Sequence, residues 1–173
     1  MKTISACVCG LVLACLLVSQ PAAPARAARP AADIPVTTTI QAAINLANDG
    51  DTILIPEGTY NESLTIGKNL TLLGPHPGTA TIQAAGNQRV ITVASGRNLT
   101  LQFLTISGGY SADPGSNSGG GVYIRDGTLT VDHCIFSNNR GNYGGGIFQE
   151  GTGGVIIENG ALIVSNMATV DGG

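Results

Sequence analysis

The chain has 173 residues, with Lys+Arg 8 against Asp+Glu 11 and a net charge of −3; only 11% of it is charged, 4% is aromatic, and it holds 25 Gly and no Trp. A soluble globular domain usually carries about 25% charged residues, so a charge-laced helical bundle or coiled coil is excluded. No basic stretch is present to neutralise phosphates, so no nucleic-acid partner is expected, and the length fits one domain of roughly 100–200 residues.

Lys2 is followed by an apolar run from Ile4 to Val18, then by Pro21 and the small-residue tripeptide Ala25, Arg26, Ala27. A positive start, an apolar middle and an A-x-A site predict a secretory signal peptide over residues 1–27. The run is shorter than the roughly 20 residues of a membrane-spanning helix. Cleavage after Ala27 is therefore expected, with the protein secreted or on the outer cell surface and no transmembrane segment in the mature chain. A retained N-terminal anchor is the alternative. Val12, Leu13, Ala14, Cys15 loosely resembles a lipoprotein box, yet Leu16, Leu17 and Val18 continue the apolar run past Cys15, which makes lipidation a minor route. Three of the four Cys lie in this segment, so cleavage leaves only Cys134; a disulfide framework is excluded and Cys134 reads as packed core. Cleavage also reduces Lys+Arg from 8 to 6 and brings the net charge to −5.

Residues 28–38, with Pro30 and Pro35, read as a linker. A helix is predicted next, over 39–48, because Ile40, Ala43, Ile44 and Ala47 form one apolar stripe at i, i+3, i+4, i+7. Thr38 or Thr39 is available as N-cap, and Asn48, Asp49, Gly50 form the stop. One short amphipathic helix cannot fold alone, so its stripe must cover something.

From Asp51 onward apolar residues come in pairs at spacing two: Ile53/Ile55, Leu64/Ile66, Leu70/Leu72, Ile91/Val93, Leu99/Leu101, Leu104/Ile106, Val122/Ile124, Leu129/Val131 and Cys134/Phe136. Thr, Asn, Ser and Gly stand between them, which predicts very short strands with one buried face. The pairs group in threes. Leu64, Leu70 and a weaker member near Ile82 are followed by Ile91, Leu99, Leu104, then by Val122, Leu129, Cys134, then by Ile147, Val155, Ala161. Successive groups are offset by 27, 31 and 25 residues, inside the window of solenoid repeats. The gaps are too short for helical crossovers. The economical solution is a coil that turns three corners per lap and stacks each strand parallel on the one a lap below: an all-β, parallel β-helix of about four laps over residues 39–173, with the helix over its mouth.

Two landmarks recur. Gly119, Gly120, Gly121, Val122 and Gly144, Gly145, Gly146, Ile147 enter the first strand of a lap; Phe136, Ser137, Asn138, Asn139 is echoed by Ile163, Val164, Ser165, Asn166. Glycine suits positive φ or close approach of stacked laps, and Asn suits left-handed corners and side-chain ladders. No strand-to-helix step follows either glycine run and the P-loop Lys is missing.

The stretch "TIQAAINLANDGDTILIPEGTYNESLTI", with "NLTLLG" and "NLTLQFLTISGG", resembles the start of right-handed parallel β-helix proteins of the pectin-lyase-like superfamily. The laps with "GGGV", "GGGI" and "FSNN" resemble repeats of chlamydial-type polymorphic outer membrane proteins, although Gly121 and Gly146 stand where that family usually has Ala. The resemblance spans residues 39–173 and implies the fold; such repeats serve adhesins, surface proteins and carbohydrate enzymes alike.

Gly58, Thr59, Tyr60, Asn61, Glu62 is similar to the GxYxE opening of pectinesterases, while the later Gln and Asp motifs of that family have no counterpart. A polygalacturonase would need paired Asp residues, which are missing. A calcium-dependent pectate lyase would need about six to eight oxygen ligands; Asp132, Glu158 and Asp126, near Arg125 and His133, fall short, and Asp126-Gly127 reads as a turn. No catalytic, cofactor-binding or metal-ligating residue is therefore assigned, and no cofactor. Tyr110, Tyr123 and Tyr143 are candidates for stacking on sugars, and the sequons at Asn61, Asn69 and Asn98 read as accidents of a Thr- and Asn-rich strand alphabet. The expected function is a non-catalytic exported module for adhesion or contact with a polysaccharide or cell-surface glycan, against a Ca²⁺-dependent pectate-type lyase. The chain ends on entering another glycine corner, which suggests truncation at the C-terminus and self-association through an open last lap.

Overall fold

A computed structural model describes residues 30–111 and 119–171; the expected signal peptide at residues 1–27 lies outside them, as do Gly172 and Gly173. The chain is an all-β parallel solenoid, a β-helix with a single short α-helix among the described residues. The first lap has α1 (Ile40–Leu46), β2 (Thr52–Leu54) and β3 (Gly58–Asn61), preceded by β1 (Asp33–Pro35). The second lap has β4 (Leu64–Ile66), β5 (Leu70–Leu73) and β6 (Ala80–Gln83). The third adds a fourth side: β7 (Ile91–Val93), β8 (Leu99–Gln102), β9 (Leu104–Ser107) and β10 (Tyr110–Ser111). It is repeated by β11 (Val122–Arg125), β12 (Thr128–Asp132), β13 (Ile135–Ser137) and β14 (Arg140–Tyr143), and then by β15 (Ile147–Glu150), β16 (Gly154–Ile157), β17 (Leu162–Val164) and β18 (Met167–Asp171).

Strands stack into four sheets: β4-β7-β11-β15, β1-β2-β5-β8-β12-β16, β3-β6-β9-β13-β17 and β10-β14-β18. Every pairing is parallel, which removes the antiparallel hairpin alternative. The register joins Leu64, Ile91, Val122 and Ile147 in one column and Leu70, Leu99, Leu129 and Val155 in another, as the spacing predicts. All nine expected apolar pairs lie in the core. Each fully buried Leu, Ile or Val stabilises by about 1.5–3 kcal/mol, so a narrow rod of columns suffices.

Two features differ from the sequence reading. The stretch read as linker supplies β1, whose Asp33, Ile34 and Pro35 pair with Thr52, Ile53 and Leu54; Pro35 lacks an N–H and is tolerated because β1 is an edge strand. Laps three to five have four sides, because the residues after the "SNN"-type corners pair with one another as β10, β14 and β18.

The corners stack as columns of left-handed backbone. Gly96 (φ 73°), Asp126 (φ 50°) and Gly151 (φ 76°) form one; Gly108 (φ 68°), Asn138 (φ 56°) and Ser165 (φ 54°) another. Next to the latter, Asn139 is 1% exposed and bridges three laps: its Oδ1 accepts from Gly109 N (2.8 Å), and its Nδ2 donates to Ile106 O (2.9 Å) and Asn166 Oδ1 (3.0 Å). The glycine runs serve close approach. A Cβ on Gly120 or Gly145 would strike the backbone of Arg140 or Met167, and one on Gly121 would strike the carbonyl of Gly146, so the Ala of the resembling repeats would not fit at Gly121 without a shift.

Helix α1 seals the first lap with Ile40, Ala43 and Ile44 buried and Thr39 as N-cap, its Oγ1 accepting from Ala42 N. Both ends are held by the next lap. Glu62 accepts from Ile40 N (2.9 Å) and Gln41 N (3.0 Å), and Lys68 Nζ donates to the carbonyls of Ile44, Asn45 and Ala47. An anion at the N-terminus and a cation at the C-terminus both complement the helix dipole.

Candidate functional site

The exposed faces of the sheets are mostly Thr: the outward columns Thr52, Thr71, Thr100, Thr130 and Thr59, Thr81, Thr105 run up the second and third sheets. On the first sheet the column begins with Thr65 and Thr92 and then becomes Tyr123 and Phe148. The change gathers rings on one side. Tyr123 stacks on Phe148 (centroids 6.1 Å, 13° between planes), and Tyr143 at the end of β14 meets the same Phe148 ring (6.1 Å, 35°). The guanidinium of Arg89 lies 4.6 Å over Tyr123, and that of Arg140 lies 5.8 Å over Tyr110 on β10. Of four Tyr and three Phe in the chain, Tyr123, Tyr143 and Phe148 thus share this face, and Tyr110 lies under Arg140 on the fourth sheet.

Hydrogen bonds hold the rings in place. Tyr123 donates to Glu150, which is also 4.0 Å from Arg125 Nε. Arg89 donates to Gly119 O (2.6 Å), Thr92 Oγ1 (3.3 Å) and Ser111 Oγ (3.3 Å), which ties the first sheet to the fourth. Burial among these groups lowers the Arg89 pKa, and the neighbouring Tyr123 opposes that. The face therefore offers flat apolar surface edged by hydroxyls and cations, the mixture that sugars meet with their C–H faces and hydroxyl rims.

Of the three tyrosines singled out from the sequence, Tyr123 and Tyr143 meet through Phe148, while Tyr110 stands on the fourth sheet, where its neighbour Ser111 is bound by Arg89. Phe148 and the two arginines were missed, because only the lap register reveals that they stand beside those rings.

A second locus lies at the corner between the second and third sheets. Phe103 (φ 56°) and His133 (φ 49°) both hold left-handed backbone there, with ring centroids 5.2 Å apart. Such backbone costs a bulky residue roughly 1–2 kcal/mol. Asp132, 14% exposed, accepts from Gln102 (3.3 Å) and contacts His133 Nδ1 at 2.7 Å. Below Phe103 runs an apolar groove of about 440 Å³ lined by Pro35, Leu54, Pro56, Leu73 and Pro75.

The remaining candidates have structural partners. Asp126 accepts from Thr152 N (3.0 Å) and Ser95 Oγ (2.9 Å), and those bonds, the backbone one first, lower its pKa and hold the turn. Glu158 is exposed at the end of β16, and among the described residues no group of three or more His, Cys, Asp or Glu could hold a metal. Glu62 is the α1 cap and Tyr60 donates to Pro56 O (2.9 Å), so the GxYxE opening is occupied with closing the first lap. Asn69 and Asn98 belong to a corner ladder in which Asn69 Oδ1 accepts from Asn98 N and Asn98 Oδ1 from Thr128 N. Cys134 is buried, and desolvation raises its pKa to about 11.

No family model matches the chain, and no curated protein matches it. Among solved structures, a pectin methylesterase mutant in complex with a hexasaccharide is similar, with 22% identity and a TM-score of 0.49 over 80% of this chain and 56% of that one.

Proposed function

We propose that this protein is an exported, non-catalytic β-helix module that contacts glycans through its aromatic face. The observation that carries the reading is the gathering of Tyr123, Tyr143 and Phe148 in a chain with 4% aromatics, with Arg89 over Tyr123 and a second pair, Arg140 over Tyr110, on the fourth sheet. Export is supported by the layout of Lys2, the Ile4–Val18 run and Ala25-Arg26-Ala27; no helix among the described residues is long and apolar enough to cross a membrane. Self-association through the fifth lap belongs to the same reading.

The chain has no Trp, so tyrosine emission, to which Tyr123 and Tyr143 contribute beside Tyr60 and Tyr110, includes a signal from the face. Titration with soluble polysaccharides should change that emission, and Tyr143→Ala or Phe148→Ala should weaken binding about two- to tenfold, the range of one aromatic contact. Unchanged affinity in both variants would remove the face from the reading. Incubation with polygalacturonate and Ca²⁺ should give no unsaturated product; turnover lost in Asp132→Ala would replace the module with a lyase. Material recovered outside the cell should begin at Ala28, and a start at lipidated Cys15 would show the lipoprotein route instead.

A further inference from the structure

The fourth sheet carries a pocket of about 230 Å³ lined by Tyr110, Ser111, Arg140, Gly141, Asn142 and Thr169. No carboxylate is among them, in a chain where acids outnumber bases 11 to 8. Arg140 is exposed and has no ion-pair partner among the described residues; the Tyr110 ring supports its guanidinium from below. Its strand is fixed independently of the side chain, since Arg140 N donates to Gly109 O (2.7 Å) and the bare Gly120 backs directly onto its peptide. Ser111 Oγ accepts from Arg89, so its hydroxyl proton is directed away from that cation and can be donated. Thr169 donates to Asn142 Oδ1 (2.8 Å), which closes the far wall.

We infer that this pocket binds an oxyanion carried on a sugar, a sulfate ester or a carboxylate, with Arg140 as the fork and Ser111 as the second donor. A planar guanidinium held on a ring presents paired N–H groups to two oxygens at once, which an ammonium cannot do. Arg89 lies behind Ser111 and adds positive potential without entering the pocket. The inference rests on the glycan reading and narrows it: the ligand is an anionic glycan, its rings on the aromatic face and its charged group in the fourth-sheet pocket.

The test compares wild type, Arg140→Ala and Arg140→Lys by calorimetry against sulfated dextran, polygalacturonate and neutral dextran, with sodium sulfate against sodium chloride at equal ionic strength as the small-ion arm. Wild type should prefer a charged polymer. Arg140→Ala should lose about tenfold or more on it, the worth of a charge-assisted bond, and several-fold less on the neutral one. Arg140→Lys should recover part of the loss. The small-ion arm separates the sources, because sulfate binding lost in Arg140→Ala marks the sulfate ester and its absence beside polygalacturonate binding marks the carboxylate. Equal affinity of wild type and Arg140→Ala for both charged polymers overturns the inference while leaving the glycan reading intact. Conversely, sulfate binding that needs Arg140 with no binding of any polymer sinks the glycan reading and keeps the anion pocket. Should Arg140→Ala lose its β spectrum, Arg140→Lys and Ser111→Ala supply the same comparison.

Discussion

Single side chains in this fold act across laps, because the neighbour above or below is 19–31 residues away in sequence and only a strand spacing away in space. Asn139 illustrates the consequence. Its amide satisfies Gly109 N and Ile106 O in the lap below and meets Asn166 in the lap above, so Asn139→Ala strands buried backbone groups. A loss of about 2–4 kcal/mol is expected, since each unsatisfied buried group costs about 1–3 kcal/mol; urea denaturation measures it, and a loss below about 0.5 kcal/mol would contradict the ladder. Cys134 gives a pH-dependent counterpart. Burial raises its pKa from 9.0 to about 11, so the folded chain holds the thiol protonated while the unfolded chain ionises. Its linked stability is complete below pH 9 and is lost as pH rises through about 11, by roughly 2–3 kcal/mol. Cys134→Ala should remove that alkaline slope in denaturation curves recorded from pH 8 to 11. A thiol reagent at pH 8 should modify the unfolded chain and spare the folded one.

At the level of elements, α1 is seven residues long and too short to persist without its neighbours. It persists because Glu62 and Lys68, on either side of β4, clasp its two ends while Ile40, Ala43 and Ile44 close the core. Glu62→Ala should therefore cost about 1.5–3 kcal/mol, the worth of hydrogen bonds to a charged group, and expose the first lap. Hydrogen exchange would register this as faster exchange over residues 40–55 with the third and fourth laps unchanged. Uniform acceleration along the rod would instead mean that the helix is part of one cooperative unit. Glu62→Gln should retain part of the stability, because it keeps an acceptor and loses only the charge.

For the molecule as a whole, protection should follow the number of laps on either side. Leu99 to Val131 lie between covered laps, whereas Val155, Ile157 and Ile163 are 37%, 53% and 45% exposed in the fifth. Amides from about Gly144 onward should exchange fastest. The fifth lap is also apolar outside: Ile156 follows the outward Thr130, and Leu162 and Val164 follow Ile135 and Ser137. An exposed apolar face of this kind favours association, so sedimentation should show mass rising with concentration, and Ile156→Lys with Leu162→Lys should suppress it. A monomer at all concentrations would exclude association through this face.

Much of this was legible in the sequence because a strand shows its buried face at every second residue and a lap repeats the whole pattern. The columns through Leu64, Ile91, Val122 and Ile147 are therefore present as offsets, and the α1 stripe as helical spacing. The Asp126-Gly127 turn was legible for a similar reason, since its residues state a local backbone preference. What lies sideways to the chain was not legible. Arg140 over Tyr110, Arg89 over Tyr123, Glu62 on α1 and the left-handed corners at Phe103 and His133 all depend on which residues stack after corners of unequal length. A local pattern cannot carry that register. It is decided by the tertiary fold, where hydrogen bonding between laps and filling of the core fix the alignment of every outward side chain together.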